Sequence, residues 1–125
     1  MTQVYQYAIY LNVPANTPAN APVTTVGNAN YPTISVPQGV LRTIVPIFPS
    51  GVNETTYVKI LYNGQPIFPT QSNVSGWFTT SDTVTLKMIL SIPLNGNINN
   101  IDLTAYNTDS TNAHLIGFML EVVVE

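Results

Sequence analysis

The chain has no cysteine, so neither a disulfide framework nor thiol chemistry is open to it. It has almost as little charge. Charged residues make up 7% of the 125, where a typical soluble domain carries about 25%. Three basic residues, Arg42, Lys59 and Lys87, cannot form the positive footprint that nucleic acid demands. The net charge of -3 gives no attraction to DNA or anionic lipid. No apolar run reaches the length of a membrane-spanning helix, so membrane insertion is not expected. The opening M-T-Q-V-Y-Q-Y-A-I-Y-L alternates and lacks a basic start, so it does not read as a signal peptide. One histidine and few acids leave little for acid–base work. No phosphate loop, zinc-protease helix or nucleophile elbow is present. An enzyme is therefore not expected, and neither is a cofactor.

What is present is apolar and β-favourable. Hydrophobic residues make up 45% of the chain, rich in Val, Ile, Leu and Tyr, and the missing charge is replaced by Thr, Asn, Ser, Pro and Gly. Such a chain buries a core. A neutral polar surface suits packed assemblies, where each buried charge would need a partner. It also suits secreted proteins.

The last third, residues 83–125, organises the rest. T-V-T-L-K-M-I-L-S-I alternates with period two, setting Val84, Leu86, Met88, Leu90 and Ile92 against Thr83, Thr85, Lys87, Ile89 and Ser91. A turn is expected at residues 93–96, then a strand in I-N-N-I-D-L-T-A-Y. The final strand is apolar on both faces, with Ile116, Phe118, Leu120, Val122 and Val124 on one and Leu115, Met119 and Val123 on the other. It calls for a sheet behind and something else in front.

Earlier, residues 4–13 read as a strand with Tyr5, Tyr7, Ile9, Leu11 and Val13 on one row and Val4, Gln6, Ala8, Tyr10 and Asn12 on the other. Three prolines four residues apart make residues 14–22 an extended connector, or an arm reaching a neighbouring subunit. Short strands follow at residues 23–26 and 33–36, then a longer one at 40–48, where Pro46 implies an edge position or a bulge. Residues 55–62 and 65–68 flank Asn63-Gly64, a type I′ hairpin signal. Residues 69–82 read as a loop, with Trp77 plugging one end of a sandwich or anchoring a partner. No 3.6-residue period persists. About eight short strands at intervals of roughly 10–15 residues predict an all-β, jelly-roll-like antiparallel sandwich in one domain over residues 1–125.

The lone His114 would need acidic partners to hold a metal, and Asp102 and Asp109 are nearest in sequence. Convergence of Asp82, Asp102 and Asp109 on calcium is the alternative. The favoured reading is structural: Asp109 accepts from loop N–H groups, and His114 closes the loop before the last strand. No metal site is assigned. The sequons at Asn53 and Asn73 are ascribed to chance in so Asn-rich a chain.

Together, V-P-A-N-T-P-A-N-A-P-V, Y-V-K-I-L-Y-N-G-Q-P-I-F-P-T, G-W-F-T-T-S-D and L-T-A-Y-N-T-D-S-T-N-A-H-L-I-G-F-M-L-E-V resemble the small β-sandwich auxiliary or decoration proteins of tailed-phage and other virus particles. The resemblance spans most of the chain through general pattern. It implies a jelly-roll-like domain on the capsid exterior, often a homotrimer, that clamps neighbouring coat proteins through a terminal arm. Residues 1–22 are the arm candidate, although this chain starts its first strand near residue 4 with no long arm before it. Contact residues expected on that reading are Tyr5, Tyr7, Tyr10, Trp77, Phe78, Leu115, Met119 and Val123, each of which is also a core candidate. Two alternatives stand beside it. One is a glycan- or receptor-binding module of a fibre or spike, with Tyr31, Tyr62 and Trp77 on one rim. The other is a cellular surface-assembly subunit.

Overall fold

The computed structural model describes residues 2–69, 76–80 and 87–125. These hold nine strands and no helix: β1 (Gln3–Val13), β2 (Val23–Thr24), β3 (Ile34–Ser35), β4 (Gly39–Ile47), β5 (Thr56–Tyr62), β6 (Gln65–Phe68), β7 (Met88–Leu94), β8 (Asn100–Asn107) and β9 (His114–Val124). The expected positions Val84 and Leu86 and most of the 69–82 loop lie outside the described residues.

The strands form two antiparallel sheets. The first has the order β1-β9-β4-β7 and the second β2-β8-β5-β6, with β3 also on β8. β2 meets Ala105 and Thr104, and β3 meets Ile101 and Asn100, end to end along one edge of β8. They are two halves of one strand, interrupted by residues 25–33. Counted so, eight strands remain. The first pairs with the last, the second with the seventh, the third with the sixth, and the fourth with the fifth. That is a long hairpin rolled across two sheets, the jelly roll.

The core lies between the sheets and follows the period-two rows. Ile9, Leu11 and Val13 of β1 meet Ile116, Phe118, Leu120 and Val122 of β9, and Val58, Ile60, Leu103 and Ala105 close it from the second sheet. Four phenylalanines from separate elements, Phe48, Phe68, Phe78 and Phe118, pack with ring centroids 5.0–6.3 Å apart. Such edge and tilted contacts add about 0.5–1.5 kcal/mol a pair beyond area burial.

Two expectations about turns and prolines are corrected. β4 as a strand is flanked by β9 and β7, so it is not an edge strand of its sheet. The bulge falls at Arg42 instead, where the register shifts between Leu41 and Thr43. That extra residue flips the alternation, so Leu41 and then Ile44, Pro46 and Phe48 all face the core. The β4–β7 ladder ends at Ile44 and Met88 among the described residues, so Pro46 interrupts none of its bonds. Similarly, Pro93 and Leu94 belong to β7, because burying Leu94 completely continues the strand past the proline. The chain turns at residues 95–99.

The 14–22 connector is tied to the loop before β9. Asn107 N–H donates to the Thr17 carbonyl at 3.0 Å, and Asn16 N–H to the Asp109 carbonyl at 2.9 Å. The Asn63-Gly64 turn is present with φ of 48° and 84°, the double left-handed pair of a type I′ hairpin.

Candidate functional site

The outer face of the first sheet can be read row by row from the register. Val4, Val123, Val40 and Pro93 cross all four strands in line. Gln6, Glu121, Thr43 and Ile89 form the next row, Ala8, Met119 and Val45 the third, and Tyr10, Gly117 and Ile47 the fourth. Leu115 lies beyond, opposite Asn12. Ile89 is 79% exposed, Val4 55% and Leu115 46%. Glu121 is the only side chain in these rows charged at neutral pH, and it accepts from the Thr43 hydroxyl at 3.3 Å. Lys87, beside Met119 and Glu121, borders a shallow cavity of about 230 Å³. A broad, mostly aliphatic sheet face left open to water is the feature that marks contact surfaces.

Four of the eight expected contact residues fall on this face: Tyr10, Leu115, Met119 and Val123. The other four are elsewhere. Tyr7 lies on the inner row of β1 and packs against the core. Tyr5 is on the same row but exposed, its hydroxyl donating to Gln3 Oε1 at 2.7 Å. Phe78 turns inward into the phenylalanine cluster through its bridge to Val58. Trp77 lies on the outer face of the second sheet. Residues not singled out from sequence, Val4, Val40, Val45, Ile47 and Ile89, complete the apolar face. The available signal was an aliphatic residue on the row opposite the core row.

On the second sheet, Tyr57 and Tyr106 stand opposite each other and stack at 4.8 Å, with 7° between planes. Trp77 meets Tyr106 edge-on at 4.8 Å, and Lys59 Nζ sits 4.3 Å over the indole. Burial, then the neighbouring Tyr57 phenol, pushes the Tyr106 hydroxyl above its ordinary pKa. Tyr62 instead donates to Asn99 Oδ1, and Tyr31 lines a separate pocket. That pocket, about 380 Å³, is bounded by Ile9, Tyr10, Tyr31, Pro32, Ile34 and Leu115.

The loop from Asn107 to His114 is built on one carboxylate. Asp109 Oδ1 accepts from the N–H groups of Thr111 at 2.9 Å and Asn112 at 3.1 Å, and from the Thr111 hydroxyl at 3.1 Å. Its Oδ2 lies 2.9 Å from His114 Nε2. The Thr111 N–H, and then the His114 ring, hold the Asp109 carboxyl well below the usual carboxylate range. Buried Asn107 braces the loop from below, donating to the Asn112 carbonyl at 2.9 Å and to the Val13 carbonyl at 3.3 Å.

Asp102 has a different task. It is buried, and its Oδ1 accepts from the hydroxyls of Thr25, at 2.7 Å, and Thr33. It thus pins both ends of the segment that interrupts β2 and β3. Asp102 and Asp109 sit at opposite ends of β8, so they do not converge, and Asp82 lies outside the described residues. Among the described residues, no three His, Cys, Asp or Glu side chains are close enough to hold a metal ion. No protein-family model matches the chain, and no curated protein matches it.

Proposed function

We propose that the protein is a non-enzymatic structural subunit of a virus particle, one that binds the outside of the capsid shell and stabilises it. The observation that carries this reading is the apolar outer face of the first sheet. Seven apolar side chains of β4, β7 and β9 (Val40, Val45, Ile47, Ile89, Leu115, Met119 and Val123) stand on it with β1's Val4 and Tyr10, and charge is limited to Glu121 within it and Arg42 and Lys87 at its borders. A subunit that binds the assembled shell and not its unfolded parts shifts the equilibrium toward the shell by mass action. Many copies on a lattice add avidity. The chemistry of the partner follows from the face: an apolar patch on the shell protein, joined with little help from ion pairs. Salt should therefore not strip the subunit, because screening acts on charges and not on apolar contacts.

Particles purified from the native source and washed at high salt provide the test. Quantitative mass spectrometry would count this chain against the main shell protein. A stoichiometric ratio supports a shell subunit, and complete loss overturns it. A second reading, a glycan- or receptor-binding module, is favoured by the Trp77–Tyr106–Lys59 group on the opposite sheet. It predicts a handful of copies per particle and competition by soluble glycans.

A further inference from the structure

β1 is bonded along one side only. Its eleven residues pair in unbroken register with β9, and among the described residues no strand takes its other edge. Alternate N–H and C=O groups there face outward and unpaired. The other edge strands are blunted. β2 and β3 are two residues each and lie beside Pro22, Pro32 and Pro37. β6 contains Pro66 and runs into Pro69, and β7 contains Pro93. β1 has no proline, no bulge and no charged residue, so it lacks the devices by which edge strands avoid further pairing. Its residues Gln3 to Gln6 are exposed on both faces, since the second sheet does not extend over them.

The backbone specifies what fits such an edge: another extended strand. We propose that this strand is β1 of a second copy, paired antiparallel about a two-fold axis through Gln6, so that two four-stranded sheets join into one. Residues opposed across such an axis must share a face. With the axis at Gln6, Tyr5 lies opposite Tyr7 of the second copy, and Tyr7 opposite its Tyr5. Val4 lies opposite Ala8, and Gln6 opposite Gln6. The exposed Val4 and Ala8 thereby meet each other and the exposed Tyr5 meets the half-buried Tyr7, the kind of cross-strand pair that stabilises sheets. Electrostatics permits self-pairing here in spite of the net charge of -3. Residues 2–13 carry no charge, so no like charges are opposed. The nearest carboxylates, the two Glu121 side chains, would stand three strand spacings apart, about 14 Å, beyond the screening length of about 8 Å at physiological salt. Pairing also joins the two outer apolar faces into one continuous surface. This two-fold dimer takes the place of the trimer implied by the capsid resemblance, and it stands or falls independently of the shell reading.

The full chain is tested by sedimentation equilibrium over a range of concentrations. The expected species is a dimer of the 13.6 kDa chain. Gln6→Lys sets two ammonium groups against each other on the axis and raises the dimer Kd about fivefold. Folding should survive it, because Gln6 is exposed and the new ammonium lies beside Glu121. Gln6→Cys gives a second readout in a chain with no other thiol. On mild oxidation it forms a covalent dimer, since residues on the axis come within disulfide reach. Ser91→Cys, exposed on the far edge strand β7, is the control and crosslinks far more slowly. A monomer at every concentration, a trimer, or equal crosslinking by the two cysteine variants would overturn the proposal.

Discussion

Gly117 shows how little slack the outer face of the first sheet contains. A Cβ there would fall 2.4 Å from Cδ1 and 2.6 Å from Cε1 of the Tyr10 ring, and 2.9 Å from the Ile9 carbonyl oxygen. The tyrosine lies across the glycine of the opposing strand and covers backbone that would otherwise be wet. Gly117→Ala is therefore expected to destabilise by about 1–3 kcal/mol through overpacking. In a Tyr10→Ala background the cost should fall, and a double-mutant cycle by urea denaturation measures the difference. Additivity of the two changes would show that the ring does not rest on the glycine. Asp109 offers a test by pH. Its folded-state pKa is depressed, so its stabilisation is present above the unfolded value of about 3.9 and is lost as pH falls toward the folded value. Asp109→Ala should lower Tm at neutral pH, and the gap from the parent protein should narrow below about pH 4. Thermal melts at stepped pH decide it, since a constant gap would mean the carboxylate is not an ionised anchor.

At the scale of elements, the β5–β6 hairpin is held by its turn and by its neighbour. Asn63 donates from Nδ2 to the Ile98 carbonyl at 2.8 Å and accepts at Oδ1 from the Asn100 N–H at 2.8 Å. The asparagine therefore serves the turn through its backbone and the 95–99 loop through its side chain. Gly64 has φ of 84° with nothing near its missing Cβ, so Gly64→Ala should cost only the left-handed strain, about 1–2 kcal/mol. Asn63→Ala meets the same strain and also loses both bridging bonds, so it should cost more than Gly64→Ala. Denaturation midpoints of the two variants, read together, check the order, and the reverse order would leave the bridge without energetic weight.

The whole molecule is governed by pairing between distant parts of the chain. The first strand lies against the last, and the strand before the last holds β2, β3 and β5. Few of these contacts form until most of the chain is in place. Refolding should therefore fall in the slow range for small domains, milliseconds to seconds or longer, rather than microseconds. Stopped-flow tryptophan fluorescence of the single Trp77 can follow it, and a microsecond phase carrying the full amplitude would contradict the argument.

Local residue chemistry by itself determined a good deal. Alternation put Ile116, Phe118, Leu120 and Val122 together on one row of the last strand, Asn63-Gly64 marked its turn, and strand spacing without helical period indicated a sandwich. These are properties of neighbouring residues, and period-two burial writes them directly into the chain. Tertiary structure decided the rest. Trp77 and Phe78 are adjacent in sequence, yet one lies on an outer face and the other in the core, because the bridge to Val58 sets which side of the second sheet each meets. Pro46 sits in a strand with β9 on one side and β7 on the other, and the shift of register between Leu41 and Thr43 shows only in the pairing with those two strands. Ile89 alternates like any half-buried strand residue, and only the sheet order left it in the open as part of a broad apolar face. Which edge is blunted and which is bare is likewise not local: it depends on where each strand falls in the roll, and that is fixed by contacts between residues a hundred positions apart, such as Tyr5 and Val122.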